Sequence, residues 1–185
     1  MLQRFSLGGI DILVTKLQPD IDASQRKCTE QKAIDQLIKK VFGKEAQLRH
    51  NADGSPFIIG SNKEISISHS RSMATLAIGS DKRFGIDVEE WRDTLQRVRP
   101  KYLSAQESET WATCDDMLIA WTAKEAVYKA AGIFGLDFSD DIVLFRSDSN
   151  ISAAVKTKEG NMMQYDIFTT KIGLSRITVA VPSLS

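Results

Sequence analysis

Hydrophobic residues recur along this chain with two different periods, and each period predicts a different kind of element. A helix is predicted from Ser24 to Phe42, because its apolar residues follow the helical spacing: Ile34, Leu37, Ile38 and Val41. Ser24 is a suitable N-cap residue, and Gly43 stands where a helix commonly ends. A second helix is predicted over residues 115–131, where one apolar face is formed by Ile119, Ala123, Ala126, Val127 and Ala130.

Alternating apolar and polar residues predict strands in most of the remaining chain. The segments are GIDILVTKL near the N-terminus, EISISHS, MATLAIG and RFGIDVEEW in the middle, and DIVLF, SAAVKTK, NMMQYDIFTTKI and SRITVAV in the C-terminal third. Turn residues separate the last four, as expected for antiparallel strands. Ser104 followed by Glu107 is the signature of a capping box at a helix start.

Each half of the chain therefore gives a strand, a helix and further strands, and no linker or low-complexity tract divides them. This order predicts an α+β fold with two lobes, residues 1–83 and 84–185, joined in one compact unit. The sequence shows no convincing residue-level repeat between the two lobes.

Composition narrows the function classes. The 185 residues carry 24 basic and 24 acidic side chains, so no global basic field attracts nucleic acid or a membrane surface. Cys28 and Cys114 are far apart and form no metal-binding pair, which fits a reducing compartment. The N-terminal segment does not resemble a secretion signal, and no apolar run is long enough to span a membrane. We therefore expect a cytoplasmic protein with a local binding site.

The segment GIDVEE places two carboxylates on one side of a strand. Asp87 and Glu89 point one way, whereas Ile86 and Val88 point the other. Two neighbouring carboxylates repel each other, and a hard cation such as Mg²⁺ would relieve that repulsion. An isolated pair of this kind is also common on solvated strand faces, so the motif alone does not decide between a metal site and a solvated face.

In the second helix, Glu125 and Lys129 lie one turn apart on a face that Trp121 flanks. Spacing alone is explained by a surface ion pair worth about 0.2–0.5 kcal/mol. Leu118 and Trp121 make that face less polar than an ordinary solvated one, which favours the wall of a cleft.

A third polar group, Ser68 and His69, stands where a strand ends, and it offers a hydroxyl and an imidazole to an anion. A lone histidine is more often structural, and no third orienting residue or nucleophile elbow supports a serine nucleophile. The chain also lacks a P-loop and a G-x-G-x-x-G motif.

Taken in order, the segments SISHS, FGIDVEE, KYLSAQE and AWTAKEAVYKA resemble the successive motifs of the 4′-phosphopantetheinyl transferases. The most specific are GIDVE, which fits a G-[IV]-D-x-E pattern, and WTAKEAVYK, which fits W-[ST]-x-K-E-[AS]-x-x-K. With DGSPFI, the resemblance covers residues 24–132. The length resembles the larger pseudo-dimeric subclass, which implies a monomer with two similar lobes, each a small antiparallel sheet packed on a helix, and the active site between them.

The resemblance implies transfer of the phosphopantetheine arm of coenzyme A to a serine of an apo acyl carrier protein or a peptidyl or polyketide carrier domain. Adenosine 3′,5′-bisphosphate would be released. Asp87, Glu89 and Glu125 would hold Mg²⁺. Glu125 would also act as general base, and Lys129 would neutralise or protonate the leaving group. The implied coenzyme A contacts are Ser68, His69, Lys124 and Ser55, together with one basic residue of the first helix, which we take as Lys27 rather than Arg26 or Lys32.

One departure from the family pattern is Ser55 in DGSPF, where a lysine is usual, and it predicts weaker coenzyme A binding. Two other hypotheses remain: a non-catalytic paralogue that binds coenzyme A or a carrier protein, and an α+β module with chance matches. For carrier docking we expect a rim within residues 92–112 that includes Arg97 and Leu103.

Overall fold

The computed structural model describes residues 2–18, 20–79, 82–148 and 150–183. Its strands are β1 (Leu2–Leu7), β2 (Ile10–Lys16), β3 (Leu48–His50), β4 (Pro56–Ile58), β5 (Glu64–His69), β6 (Met73–Gly79), β7 (Gly85–Glu90), β8 (Ile142–Ser147), β9 (Asn150–Lys156), β10 (Met162–Ile172) and β11 (Ser175–Pro182). Its helices are α1 (Ala23–Phe42), α2 (Asp93–Arg97), α3 (Ala105–Thr110) and α4 (Cys114–Ala131), with a 3₁₀ turn at Arg99–Lys101.

The strands form two main sheets, and the chain enters the second only after completing the first. The first sheet has the order β1-β2-β6-β5, the second has the order β7-β11-β10-β9-β8, and β3 with β4 forms a small separate ribbon. All the strand pairs are antiparallel. The prediction of a mixed α+β protein built on antiparallel sheets is confirmed.

Each main sheet has one face against a long helix. The apolar stripe of α1 packs on the first sheet, and α4 packs on the second sheet in a larger cluster that includes Tyr102 and Trp111. The opposite faces of the two sheets meet in a third cluster, which joins residues of β2 and β6 to residues of β7 and β11. Burial of apolar side chains on both faces of each sheet holds the sheets together as one body.

Two local details correct the sequence interpretation, and a third confirms it. The first hairpin contains an additional strand, β1, which pairs with β2 through a two-residue turn at Gly8 and Gly9, both with positive φ. The N-cap of α1 is Asp22, whose carboxylate accepts a hydrogen bond from the Ser24 amide, so the prediction of Ser24 was wrong by two residues. The capping box of Ser104 and Glu107 is confirmed.

No helix in the described part of the chain combines the length and the apolar character needed to cross a membrane.

Candidate active site

A cavity of about 690 Å³ opens where β5, β7, α1 and α4 come together. Eight of the nine sequence-predicted site residues line it: Lys27, Ser55, Ser68, His69, Asp87, Glu89, Glu125 and Lys129. Residues from positions 27 to 129 meet there only because the two sheets lie side by side.

Serine side chains of β5 fix the position of β7 beside it. The Ser66 Oγ accepts a hydrogen bond from the Ile86 amide at 3.1 Å, and the Ser68 Oγ accepts one from the Val88 amide at 3.3 Å. The Ser68 hydroxyl also donates to Asp87 Oδ1 at 2.8 Å. Alternate serines on β5 therefore substitute for a backbone ladder between the two sheets, and they orient the first carboxylate of the cavity.

The alternation expected along β7 is confirmed. Ile86 and Val88 enter the apolar cluster between the sheets, whereas Asp87 and Glu89 line the cavity. Gly85 begins the strand where it passes close to α4: a Cβ there would overlap the Ala126 carbonyl oxygen and lie 2.9 Å from the Ala130 nitrogen. The glycine of GIDVE thus allows the close approach of strand and helix that places their acidic residues in one cavity.

Helix α4 supplies Glu125, Lys129 and Trp121 to the cavity wall. The Lys129 ammonium donates to the Ile86 carbonyl and to Asp87 Oδ1, both at 2.8 Å. The Trp121 ring is held by an edge contact with Tyr102, at 5.2 Å between centroids, and by Phe138 at 6.0 Å. Lys129 therefore pairs with the strand carboxylate rather than with Glu125, and the hypothesis of a solvated Glu125–Lys129 surface pair is wrong.

The surroundings of Glu125 strongly change its acidity. Burial raises its pKa to about 7, and the nearby charges of Asp87 and Glu89 add to that rise while Lys129 opposes it. Burial also raises the pKa of Glu89, against the opposing effects of the Glu90 amide and Arg92. The charge of Asp87 therefore adds to the rise in the pKa of both glutamates in this part of the cavity.

The donor set of Asp87, Glu89 and Glu125 has the chemistry that Mg²⁺ prefers, since all its ligands are carboxylate oxygens. Among the described residues, no three His, Cys, Asp or Glu side chains are gathered into a ready metal cage. Two of the three carboxylates are engaged in ion pairs, Asp87 with Lys129 and Glu89 with Arg92. The excess negative charge around Glu125 nevertheless fits a cation, provided that these two pairs rearrange.

The ninth predicted residue, Lys124, lies outside the cavity, so its assignment to phosphate binding was wrong. Its side chain is fully buried, and its ammonium donates to Glu107 Oε2, to the Phe138 carbonyl and to the Ile142 carbonyl at 2.6–2.8 Å. All three donor positions are thereby used within the core. Burial lowers the pKa of Lys124, and the Glu107 carboxylate opposes that shift.

The other predicted contacts line the cavity with different neighbours. The His69 Nδ1 lies 3.5 Å from Glu30 Oε1, and its side chain is about half exposed. The Ser55 hydroxyl is already engaged, since it donates to Asp53 and accepts from the Asn51 amide group. Lys27 is exposed at the rim.

In the expected docking rim, Arg97 is exposed, but Leu103 is buried in the core cluster around α4. The prediction that Leu103 contacts a carrier protein is therefore wrong.

Sequence reasoning missed two charged residues at the cavity mouth, Asp53 and Arg83. They form an ion pair at 2.7 Å between Nη1 and Oδ2, and both line the cavity. Phe134, 90% exposed, also lines it. No periodic pattern marks these residues, because all three lie in turns and connections.

The cavity thus brings together a carboxylate pair on a strand and a glutamate and a lysine on a helix. A family model for the 4′-phosphopantetheinyl transferase superfamily matches residues 83–178, and the chain belongs to that superfamily. The match spans both β7 and α4 and confirms the family resemblance of their motifs. A search of curated proteins finds no relative that matches the chain.

Proposed function

We propose that this protein transfers the 4′-phosphopantetheine group of coenzyme A to a serine hydroxyl of an apo acyl or peptidyl carrier protein and releases adenosine 3′,5′-bisphosphate. The observation that carries the proposal is Glu125, a partly buried carboxyl with a pKa of about 7, in one cavity with Asp87, Glu89 and Lys129. We further propose that it acts as a cytoplasmic monomer with two lobes and the site between them.

In the proposed reaction the serine oxygen bonds to the phosphorus that carries the pantetheine arm, and the bond from that phosphorus to the bisphosphate oxygen breaks. Glu125 accepts the serine proton, and a pKa near neutrality suits a group that must accept and then release a proton. Lys129 places a positive charge beside the departing bisphosphate, where negative charge accumulates.

Asp87, Glu89 and Glu125 would hold Mg²⁺ in this reaction. When bound, the ion neutralises pyrophosphate charge and makes the phosphorus a better electrophile. Release of Asp87 from Lys129 would free one carboxylate oxygen for the ion and the ammonium for the phosphate, so a single rearrangement prepares both partners.

The test is the mass of apo carrier proteins incubated with the protein, coenzyme A and Mg²⁺. We expect a gain of the phosphopantetheine mass on the carrier serine, and we expect Glu125→Gln to lower the rate at least ~10²-fold by removing the base. Glu45→Gln is the matched control, because Glu45 is exposed, outside the cavity and outside the expected docking rim.

Two results would contradict the proposal. A panel of fatty-acid, polyketide and peptide-synthetase carriers that gains no mass, while calorimetry detects coenzyme A binding, would favour a non-catalytic binding protein. Equal rates for Glu125→Gln and Glu45→Gln would remove Glu125 from the mechanism.

A further inference from the structure

Arg83 lies in the connection before β7, and two hydrogen bonds fix its guanidinium at the cavity mouth. Its Nε donates to the Lys129 carbonyl at 3.0 Å, and its Nη1 donates to Asp53 Oδ2 at 2.7 Å. The first contact satisfies a carbonyl in the last turn of α4, a position that favours a cation. The guanidinium also packs over Gly132, where a Cβ would collide with it.

The partner carboxylate is held in place by its own turn. Asp53 Oδ1 accepts from the Ser55 amide at 3.0 Å and from the Ser55 hydroxyl at 2.6 Å, while the Asn51 side chain donates to that hydroxyl at 2.9 Å. Asp53 Oδ2 is left for Arg83. The turn at residues 51–55 therefore presents one Asp53 carboxylate oxygen to the guanidinium. Hydrogen bonds from Ser55, whose hydroxyl is held by Asn51, keep the carboxylate in that orientation.

The pair is exchangeable. About a third of each side chain is exposed, and ion pairs with such exposure contribute little net free energy. Among the described residues, none accepts a hydrogen bond from Arg83 Nη2, so Nη1 and Nη2 together offer a planar fork once Asp53 leaves. A phosphate group carries more charge than a carboxylate and accepts both arms of such a fork.

We propose that Arg83 is an anion-binding residue of this cavity, and that Asp53 is a built-in competitor whose place an arriving phosphate group takes. The inference rests on the proposed function only in naming that phosphate as one belonging to coenzyme A. The guanidinium donates to the backbone carbonyl of Lys129, and both side chains line this cavity.

Neutralising the charge of Asp53, a cavity residue, should increase the affinity of the cavity for phosphate anions. Asp53→Asn frees Arg83 without removing its bond to the Lys129 carbonyl. We expect it to bind adenosine 3′,5′-bisphosphate and inorganic pyrophosphate about 3- to 10-fold more tightly in calorimetry at low ionic strength. Arg83→Gln should weaken binding about 10-fold or more, as loss of charge-assisted hydrogen bonds does.

The double variant Asp53→Asn/Arg83→Gln decides whether the two residues act together. If Asp53 acts through Arg83, the double variant binds no better than Arg83→Gln. Asp11→Asn is the matched control, since Asp11 pairs with Arg4 away from the cavity, and its affinity should equal that of the unmodified protein. Ser55→Ala loosens Asp53 and should give a smaller gain of the same sign if Asp53→Asn fails to fold.

The inference is overturned if Asp53→Asn binds more weakly than the unmodified protein, if its gain persists without Arg83, or if the unmodified protein binds neither probe. Failure of the proposed function is a separate result. If the variants show the expected affinities for the two probes but no carrier is modified, only the proposed transfer is wrong. If carriers are modified but Arg83→Gln binds the probes as tightly as the unmodified protein, only the inference about Arg83 is wrong.

Discussion

Helix α4 carries two lysines five residues apart whose surroundings are opposite. Lys124 is fully enclosed, and its three hydrogen bonds tie α4 to α3, to the loop before β8 and to β8 itself. The Lys129 side chain is 29% exposed at the cavity, and it pairs with a carboxylate that we propose as a metal ligand. Both make an ion pair at 2.8 Å, so distance alone does not separate them.

The two lysines differ in whether the carboxylates around them have further hydrogen-bond partners. Glu107 also accepts from the Leu144 amide and the Ser104 amide, so the pair with Lys124 closes a complete network within the core. Around Lys129, burial raises the pKa values of Glu89 and Glu125, and the charges of neighbouring carboxylates add to both rises. The complete network fixes the helix, and we propose that the groups around Lys129 serve substrate and metal.

Lys124→Met should cause the largest loss of unfolding free energy. It leaves the Glu107 carboxylate buried without its counter-ion, which typically costs about 3–5 kcal/mol of unfolding free energy. Denaturant unfolding measures the loss. The double variant Lys124→Met/Glu107→Leu should recover part of it, because the buried charge is gone; a loss below about 1 kcal/mol for Lys124→Met would show that the pair does not anchor α4.

The second effect is a pH dependence at Glu125. Its pKa rises from the ordinary value of 4.5 to about 7 on folding, so ionisation costs stability. That cost is absent below about pH 4.5 and complete above about pH 7. Without metal, Glu125→Gln should therefore be more stable than the unmodified protein by about 3 kcal/mol at pH 8, with almost no difference at pH 4.5.

Unfolding midpoints at several pH values, with and without Mg²⁺, measure this difference. Mg²⁺ should stabilise the unmodified protein and narrow the gap, because the ion compensates the same charge. The control variant Glu45→Gln should be as stable as the unmodified protein under each of these conditions. A Glu125→Gln protein that is less stable than the unmodified protein at every pH would contradict a raised pKa for Glu125.

The smallest expected effect on stability is that of Lys129→Gln, at less than about 1 kcal/mol, because its ion pair is partly exposed. Transfer should nevertheless fall about 10²-fold through loss of charge beside the leaving group. Unfolding and carrier-modification rates, measured on the same samples, separate the two. If Lys129→Gln destabilises the protein as much as Lys124→Met, the contrast between the two lysines is wrong.

Local patterns predicted much of this molecule. The period of two along β7 separated Asp87 and Glu89 from the apolar residues between them, and the second helix was predicted within one residue of its observed start. Both features depend on neighbours in sequence. Position 124 was misassigned because a motif does not show which lysine of a helix faces the core, and α4 is apolar on more than one side.

Periodicity and motif spacing are properties of neighbouring positions, so the sequence alone was enough to predict most helices and strands, the family and the residues that we propose for the chemistry. Three ion pairs could be found only in the folded structure: Lys124 with Glu107, Lys129 with Asp87, and Arg83 with Asp53 across 30 positions. Such pairs depend on how the two sheets pack and on the rotation of α4, which buried apolar contacts set over the whole chain.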